Sequence, residues 1–362
     1  MLINVIPGHW TYFNTRGLMF PFVYYKRILQ DIGIQVVFLN KNSERVKECD
    51  LLLLDSKVFR NCWSTTPEAT LEEIDVLCEG PHKAIWFNTG DSSAGVQKQV
   101  IDKVDRYYKS QLLKDRKSYM KSYYGGRVYT DYYFRRHDVT DDVELWSTCL
   151  DERQLEKLRV SWNLGMNPCM DYWQGLVGRV AWDNRLLNLL AYRRSNCDRL
   201  FRKKRKIKIN SNMSLNYPRN SVSYQRRTIA GILAKEGITV SKVPLRKYYD
   251  SLANSKYALS PYGWGEICIR DFEAVLSGCT LVKPDMSHLE TWPDIYSAGE
   301  TYLAFPWDLD CFDEWYEDNL IDENYTDDVA RTALERYERY IGEDGSYEFT
   351  KKIRSIVQDL GF

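Results

Sequence analysis

Histidine is scarce in this 362-residue chain: His9, His82, His137 and His288 are the only four. The nine cysteines form no C-x-x-C, and no group of cysteine and histidine has zinc-ligand spacing. A structural zinc module is thereby excluded, and the cysteines read as reduced thiols that pack like small apolar side chains. No G-x-G-x-x-G lies between a first strand and its helix in either half, which argues against a dinucleotide-dependent oxidoreductase. Long apolar runs are missing too. Runs such as Leu51–Leu54 are strand-sized, far short of the roughly 18 residues of a membrane span. The opening MLINVIPGHW lacks the basic and apolar regions of a secretory signal, so a cytoplasmic protein is expected. Neither sign of charge is in excess. Fifty Lys and Arg balance fifty Asp and Glu, unlike a general nucleic-acid binder, and no nucleic-acid partner is expected.

What the chain has in quantity is aromatic rings, with 26 Tyr and 11 Trp. Such a content suits stacking on sugars or bases, and equally an ordinary large core. The length suits about two domains. Short apolar runs alternate with amphipathic segments, the mark of parallel sheets with crossover helices. Strands are expected at 2–6, 35–39, 50–55 and 84–88. Helices are expected at 20–32 and at 67–78, where Thr66 is the candidate cap. The middle is less regular, with helices expected over 145–158 and 177–192. A second α/β pattern follows: strands at 207–210, 239–243, 257–260 and 280–282, and helices at 222–235, 245–252 and 267–276. Two further helices, 327–340 and 347–360, close the chain.

The stretch Ser255–Asp285, SKYALSPYGWGEICIRDFEAVLSGCTLVKPD, carries the chemistry. It reads as strand, glycine-rich loop, helix, glycine, strand. Ligands of parallel sheets bind beyond the carboxyl ends of the strands, here at 261–266. Gly263 and Gly265 allow close backbone approach. The free N–H groups and positive dipole end of the following helix suit a phosphate. Arg270 lies in its first turns and can reach the same anion. Glu273, three residues on, shares its face and can accept from two ribose hydroxyls. The plain alternative is a surface ion pair between the two, worth a few tenths of a kcal/mol.

Arg270-Asp-Phe-Glu273-Ala-Val-Leu-Ser-Gly278-Cys279 resembles the R-x-x-E-A-x-x-x-G-C signature in the donor-binding half of exostosin-like glycosyltransferases. It is also similar to the E-A-x-x-x-G-x-x-V segment of many other GT-B glycosyltransferases. The lead-in from Ser260 to Glu266, S-P-Y-G-W-G-E, resembles that of bacterial surface-polysaccharide members, as does the block 109–133. The resemblance implies a GT-B-like fold, with two Rossmann-type domains facing across a cleft and C-terminal helices. Residues 1–195 would form the acceptor side and 196–340 the nucleotide-sugar side, with 341–362 a helix packing back on the first. It makes Glu273 the ribose ligand and Arg270 a phosphate ligand, with Ser260, Gly263, Gly265 and Glu266 lining the donor site. Retaining members often carry two glutamates eight positions apart; position 265 is a glycine and Glu266 is only seven before Glu273, so the stereochemistry is open.

The implied activity is transfer of a sugar from a nucleotide-sugar donor to a glycan or lipid-linked glycan acceptor, as in polysaccharide, lipopolysaccharide or capsule synthesis. A non-catalytic nucleotide- or glycan-binding module on the same fold is the alternative. The catalytic base should stand across the cleft. Asp91, after the fourth strand, and His9, after the first, are the candidates, and Asp91 also has the chemistry of a turn residue. Arg219 and Lys283 follow strands of the second half and could meet the leaving phosphate. Lys109, Lys114, Arg116 and Arg127 are either contacts for an anionic acceptor or solvated charges. No cofactor or metal is expected, the D-x-D spacing of Asp308 and Asp310 falling late in the chain. Finally, 199–208 carries seven basic residues and no acidic one. It is either a peripheral contact with the anionic inner membrane face or a segment paired with the acidic stretch 310–328.

Overall fold

The computed structural model describes residues 1–9, 11–167, 200–201, 204–320, 327–342 and 344–362. Five parallel strands and a short sixth form the first sheet, in the order β2-β1-β3-β4-β5-β7. They are β1 Leu2–Ile6, β2 Gln35–Phe38, β3 Leu51–Asp55, β4 Lys83–Asn88, β5 Arg106–Lys109 and β7 Leu158–Val160. β3 is buried at every position, as its unbroken apolar run requires for a strand covered on both faces. The second sheet is also parallel, in the order β12-β10-β9-β8: β8 Ile207–Asn210, β9 Ser255–Leu259, β10 Thr280–Pro284 and β12 Tyr302–Phe305. The fold is thus α/β and GT-B-like, two Rossmann-type units facing across a cleft.

An antiparallel ribbon straps the units together. β6 Gln111–Leu113 of the first pairs with β11 Leu289–Thr291 of the second, Leu113 opposite Leu289 and Gln111 opposite Thr291. One apolar core runs through both units, from Leu52 and Trp86 to Tyr257 and Leu281. A second covers the far face of the first sheet, where Phe349, Ile353 and Ile356 of the helix Gly345–Asp359 pack with Val5, Phe22 and Trp162. That helix ends on the ion pairs of Asp359 with Arg106 and Arg159.

Three expectations are corrected. The helix expected at 20–32 begins at Phe13, runs to Tyr24 and breaks before the short helix Lys26–Asp31. The helix expected over 145–158 is mostly irregular. Leu145 and Ser147 bond back to Gly125 and Tyr123, so their backbone groups are spent on a neighbouring loop. Only Glu152–Leu155 turns helically, started by a capping box between Asp151 and Gln154. The strand expected at 239–243 joins no sheet; Lys242 and Val243 line a cavity instead. The helix expected at 177–192 and the boundary at 195 lie outside the described residues.

Candidate active site

A cavity of about 530 Å³ opens at the carboxyl ends of the second sheet, and Asp91 reaches its rim from the first unit. Its floor is the glycine-rich loop and the helix Ile269–Leu276. That helix begins two residues later than expected. Cys268 is the N-cap, and the Asp271 carboxylate accepts the Cys268 amide at 3.0 Å. Cys268, Ile269 and Arg270 therefore bring the amino end of the helix to the cavity.

Arg270 donates from Nη2 to the Asn212 carbonyl at 2.9 Å. Its Nε is buried and has no hydrogen-bond partner. The Arg270 guanidinium lines the cavity, where its charge suits an anionic ligand. Glu273, one turn along, is not paired with Arg270 in a simple surface bridge. Its carboxylate accepts the hydroxyls of Tyr248 at 2.7 Å and Tyr249 at 2.8 Å. Burial and the Glu273 charge push the Tyr248 phenol well up, so it stays a protonated donor. The two phenols fix the carboxylate and leave lone pairs for ligand hydroxyls. Both tyrosines lie on the helix Leu245–Leu252. Sequence reading missed them, although Lys-Tyr-Tyr on a helix beside the cleft was the available signal.

Arg226 was missed as well. It lines the cavity and holds the loop from below, donating to the carbonyls of Tyr262 at 2.6 Å, Pro261 at 3.2 Å and Ser214 at 3.1 Å. Its guanidinium stacks 5.0 Å from the Tyr217 ring. Trp264, 37% exposed, stands at the mouth with Arg127 stacked 5.3 Å from its ring. Gly263 and Gly265 both line the cavity. A Cβ at Gly265 would overlap the Asp91 carbonyl oxygen, so only glycine lets the two units meet here.

Several candidates sit elsewhere. Ser260 is buried and its hydroxyl donates to Asp271 at 2.5 Å, away from the cavity. Lys283 is fully buried, 3.1 Å from the Asp271 carboxylate. Arg219 pairs with Asp141 at 3.1 Å and donates to the Gly125 carbonyl, joining the units outside the cavity. Glu266 is fully buried between the units, bound to Ser93. Of the two candidate bases, Asp91 lines the cavity, where Asn14 donates to its carboxylate at 2.7 Å. His9 is exposed, its Nδ1 2.7 Å from the Thr11 hydroxyl, and does not line it.

Of the basic residues named in 109–127, Lys109, Arg116 and Arg127 are engaged within the protein, while the Lys114 side chain is exposed. Lys109 is buried and donates to the carbonyls of Ser92 and Gly95 at 3.2 and 2.5 Å. Burial pushes its ammonium down to about 7, against the opposing pull of the Glu266 and Asp91 charges. Arg116 is clamped on Glu290 across the ribbon. In the basic run, Arg205 donates to the carbonyls of Ser255 at 2.6 Å and Ser277 at 2.8 Å, the latter at the end of the helix Ile269–Leu276. It is thus spent inside the protein, while Arg199, Arg202 and Lys203 lie outside the described residues. Asp308 and Asp310 gather with His137, one ligand-type atom from each lying within 4.8 Å of the others, but none of the three lines the cavity. No helix among the described residues is long and apolar enough to cross a membrane.

No family model and no curated protein matches the chain. Solved structures of similar arrangement exist. One is an α-glucosyltransferase in complex with UDP-glucose and DNA containing an abasic site, at TM-score 0.42 and 10% identity over 98% of both chains. Another is a DNA-modifying β-glucosyltransferase, at TM-score 0.46 and 7% identity over 100% of both. A glycosyltransferase from Rickettsia africae gives TM-score 0.44 and 8% identity over 97% of both. No residue's role is carried over from them.

Proposed function

We propose that the chain transfers a sugar from a nucleotide-sugar donor to a hydroxyl of a glycan or lipid-linked glycan acceptor, as in cell-surface polysaccharide synthesis. The observation that carries this reading is the pairing, on one helix face in one cavity, of the Arg270 guanidinium and a Glu273 carboxylate fixed by two phenols. The first suits a diphosphate and the second a ribose. The helix amino end adds N–H groups and a favourable dipole for the charge that develops as the nucleotide leaves. Asp91 stands across the cavity as the candidate base. It takes the proton of the attacking hydroxyl as the bond to the anomeric carbon forms and the bond to the nucleotide breaks. The balanced charge of the chain supports a glycan acceptor over a nucleic acid.

The test is a thermal-shift screen against UDP, GDP, CMP and dTDP, followed by turnover of sugars on the nucleotide that stabilises most. Glu273→Ala should weaken binding of that nucleotide by about 1–3 kcal/mol. Turnover should persist in excess chelator, the cavity cations serving where a metal would. Unchanged affinity in a folded Glu273 variant removes it from the site, and tight nucleotide binding with no turnover of any sugar replaces the enzyme with a binding module.

A further inference from the structure

Glu266 closes the glycine-rich loop of the second unit, yet its carboxylate points away from the cavity and into the first unit. Oε1 accepts the Ser93 hydroxyl at 2.6 Å, and Oε2 accepts the Ser93 amide at 3.0 Å and the Gln111 side-chain amide at 3.3 Å. All three donors belong to the first unit. Ser93 lies two residues from Asp91, in the loop that follows β4.

The same loop is gripped from its own side. Gln111 also donates to the Asp91 carbonyl at 2.5 Å, and Tyr119 donates to the Ser93 carbonyl at 2.8 Å. Lys109 bonds the carbonyls that bracket the turn, Ser92 and Gly95. Glu266 is thus the contribution of the second unit to a loop otherwise built from the first. A turn rich in Ser and Gly has little rigidity of its own, so the position of Asp91 depends on these bonds. A fully buried carboxylate without its donors is strongly unfavourable, so Glu266 holds the loop only while the units stay closed.

We infer that Glu266 is a positioning residue that couples the donor-side loop to the loop carrying Asp91, and contacts no part of the nucleotide. The inference rests on Asp91 serving as the base in the proposed reaction. It explains why a glutamate can end a glycine-rich loop and still be absent from the cavity. It also gives Gly265 its purpose, because the backbone of that residue must lie against Asp91 for the next carboxylate to reach Ser93.

Glu266→Ala, Glu266→Gln and Ser93→Ala separate this from other roles. In Glu266→Ala, kcat should fall about tenfold or more while nucleotide affinity changes less than about twofold. Ser93→Ala, which leaves the donor-side loop untouched, should move kcat the same way by less. Glu266→Gln keeps acceptor and donor groups for Ser93 and should restore most of the loss. Hydrogen exchange over 89–97 supplies a readout independent of activity: protection should drop in Glu266→Ala and return in Glu266→Gln. Nucleotide affinity falling in Glu266→Ala as far as in Glu273→Ala would overturn the inference, making Glu266 a donor ligand. Unchanged exchange at 89–97 would overturn it too. If no sugar is turned over by the unaltered protein, the proposed reaction fails, while the exchange result still decides whether Glu266 holds the loop.

Discussion

In each unit a fully buried carboxylate, Asp55 or Asp271, gathers strand-end loops, and the two are built differently. In the first unit Asp55 accepts only from neutral groups: the Gly8 amide at 3.0 Å, the Lys57 amide at 3.0 Å, and the hydroxyls of Thr15 at 2.7 Å and Thr89 at 2.8 Å. It thereby ties the loops after β1, β3 and β4. In the second unit Asp271 accepts the Ser260 and Tyr296 hydroxyls and the Cys268 amide, but it also faces the buried Lys283 ammonium. A carboxylate satisfied by dipoles needs no partner charge. One satisfied by a cation commits that cation to the interior. That is why Lys283, a basic residue at the end of a strand, is not at the cleft.

The largest effect should come from breaking the charged pair. Lys283→Ala leaves Asp271 buried without its cation and should cost about 3–5 kcal/mol, read by urea denaturation. A loss below about 1 kcal/mol would mean that Asp271 is held by its neutral donors alone, as Asp55 is, and the contrast would disappear.

Asp91 hangs from the Asp55 network, since Asn14 bridges the Thr89 carbonyl and the Asp91 carboxylate. Asp91→Asn keeps the turn and removes the proton acceptor. Turnover should fall about a hundredfold with nucleotide binding intact, equivalent to about 2.7 kcal/mol. Near-normal turnover would move the role to another group, with His9 next to be tried. Asp55→Asn sharpens the comparison from below. Its amide presents N–H where one pair of donors now points, so it should lose about 1–3 kcal/mol of stability. It should also slow turnover through Asn14 and Thr89, whereas Lys283→Ala should act mainly on stability and the donor side.

Much of this frame is legible in the sequence because it is local. β1, β3 and β4 are short, mostly apolar runs between turn residues, and the helices Pro67–Cys78 and Leu245–Leu252 carry the apolar spacing of a half-buried helix. Arg270 and Glu273 are legible for the same reason, because i and i+3 share a face wherever the helix goes. The rest depends on distance along the chain. Glu266 and Ser93 are 173 residues apart, and no spacing rule says which way the carboxylate turns. Lys283 and Arg219 look free in sequence because their acidic partners, Asp271 and Asp141, lie 12 and 78 residues away. The expected strand at 239–243 has the composition of a strand but pairs with no strand among the described residues.

The smallest expected effect concerns a third carboxylate, at the end of the molecule away from the cleft. Asp359 closes the C-terminal helix between Arg106 Nε at 2.9 Å and Arg159 Nη2 at 3.0 Å, on β5 and β7. Partial burial alone would raise its pKa, but the hydrogen bonds and charges of Arg159 and Arg106 outweigh it and hold the carboxyl below its usual range. Unlike Asp271 it is partly solvated, so its charge is screened and its loss tolerable. Asp359→Asn should cost about 1 kcal/mol. A depressed folded-state pKa means that the contribution is fully present above the unfolded value of about 4, and fades as the pH falls through the folded one. Urea denaturation of both proteins at stepped pH should therefore show a gap near neutrality that closes in acid. A gap that stays constant down to the acid limit would assign the effect to packing of the helix end, leaving Asp359 no electrostatic part in fastening that helix to the first sheet.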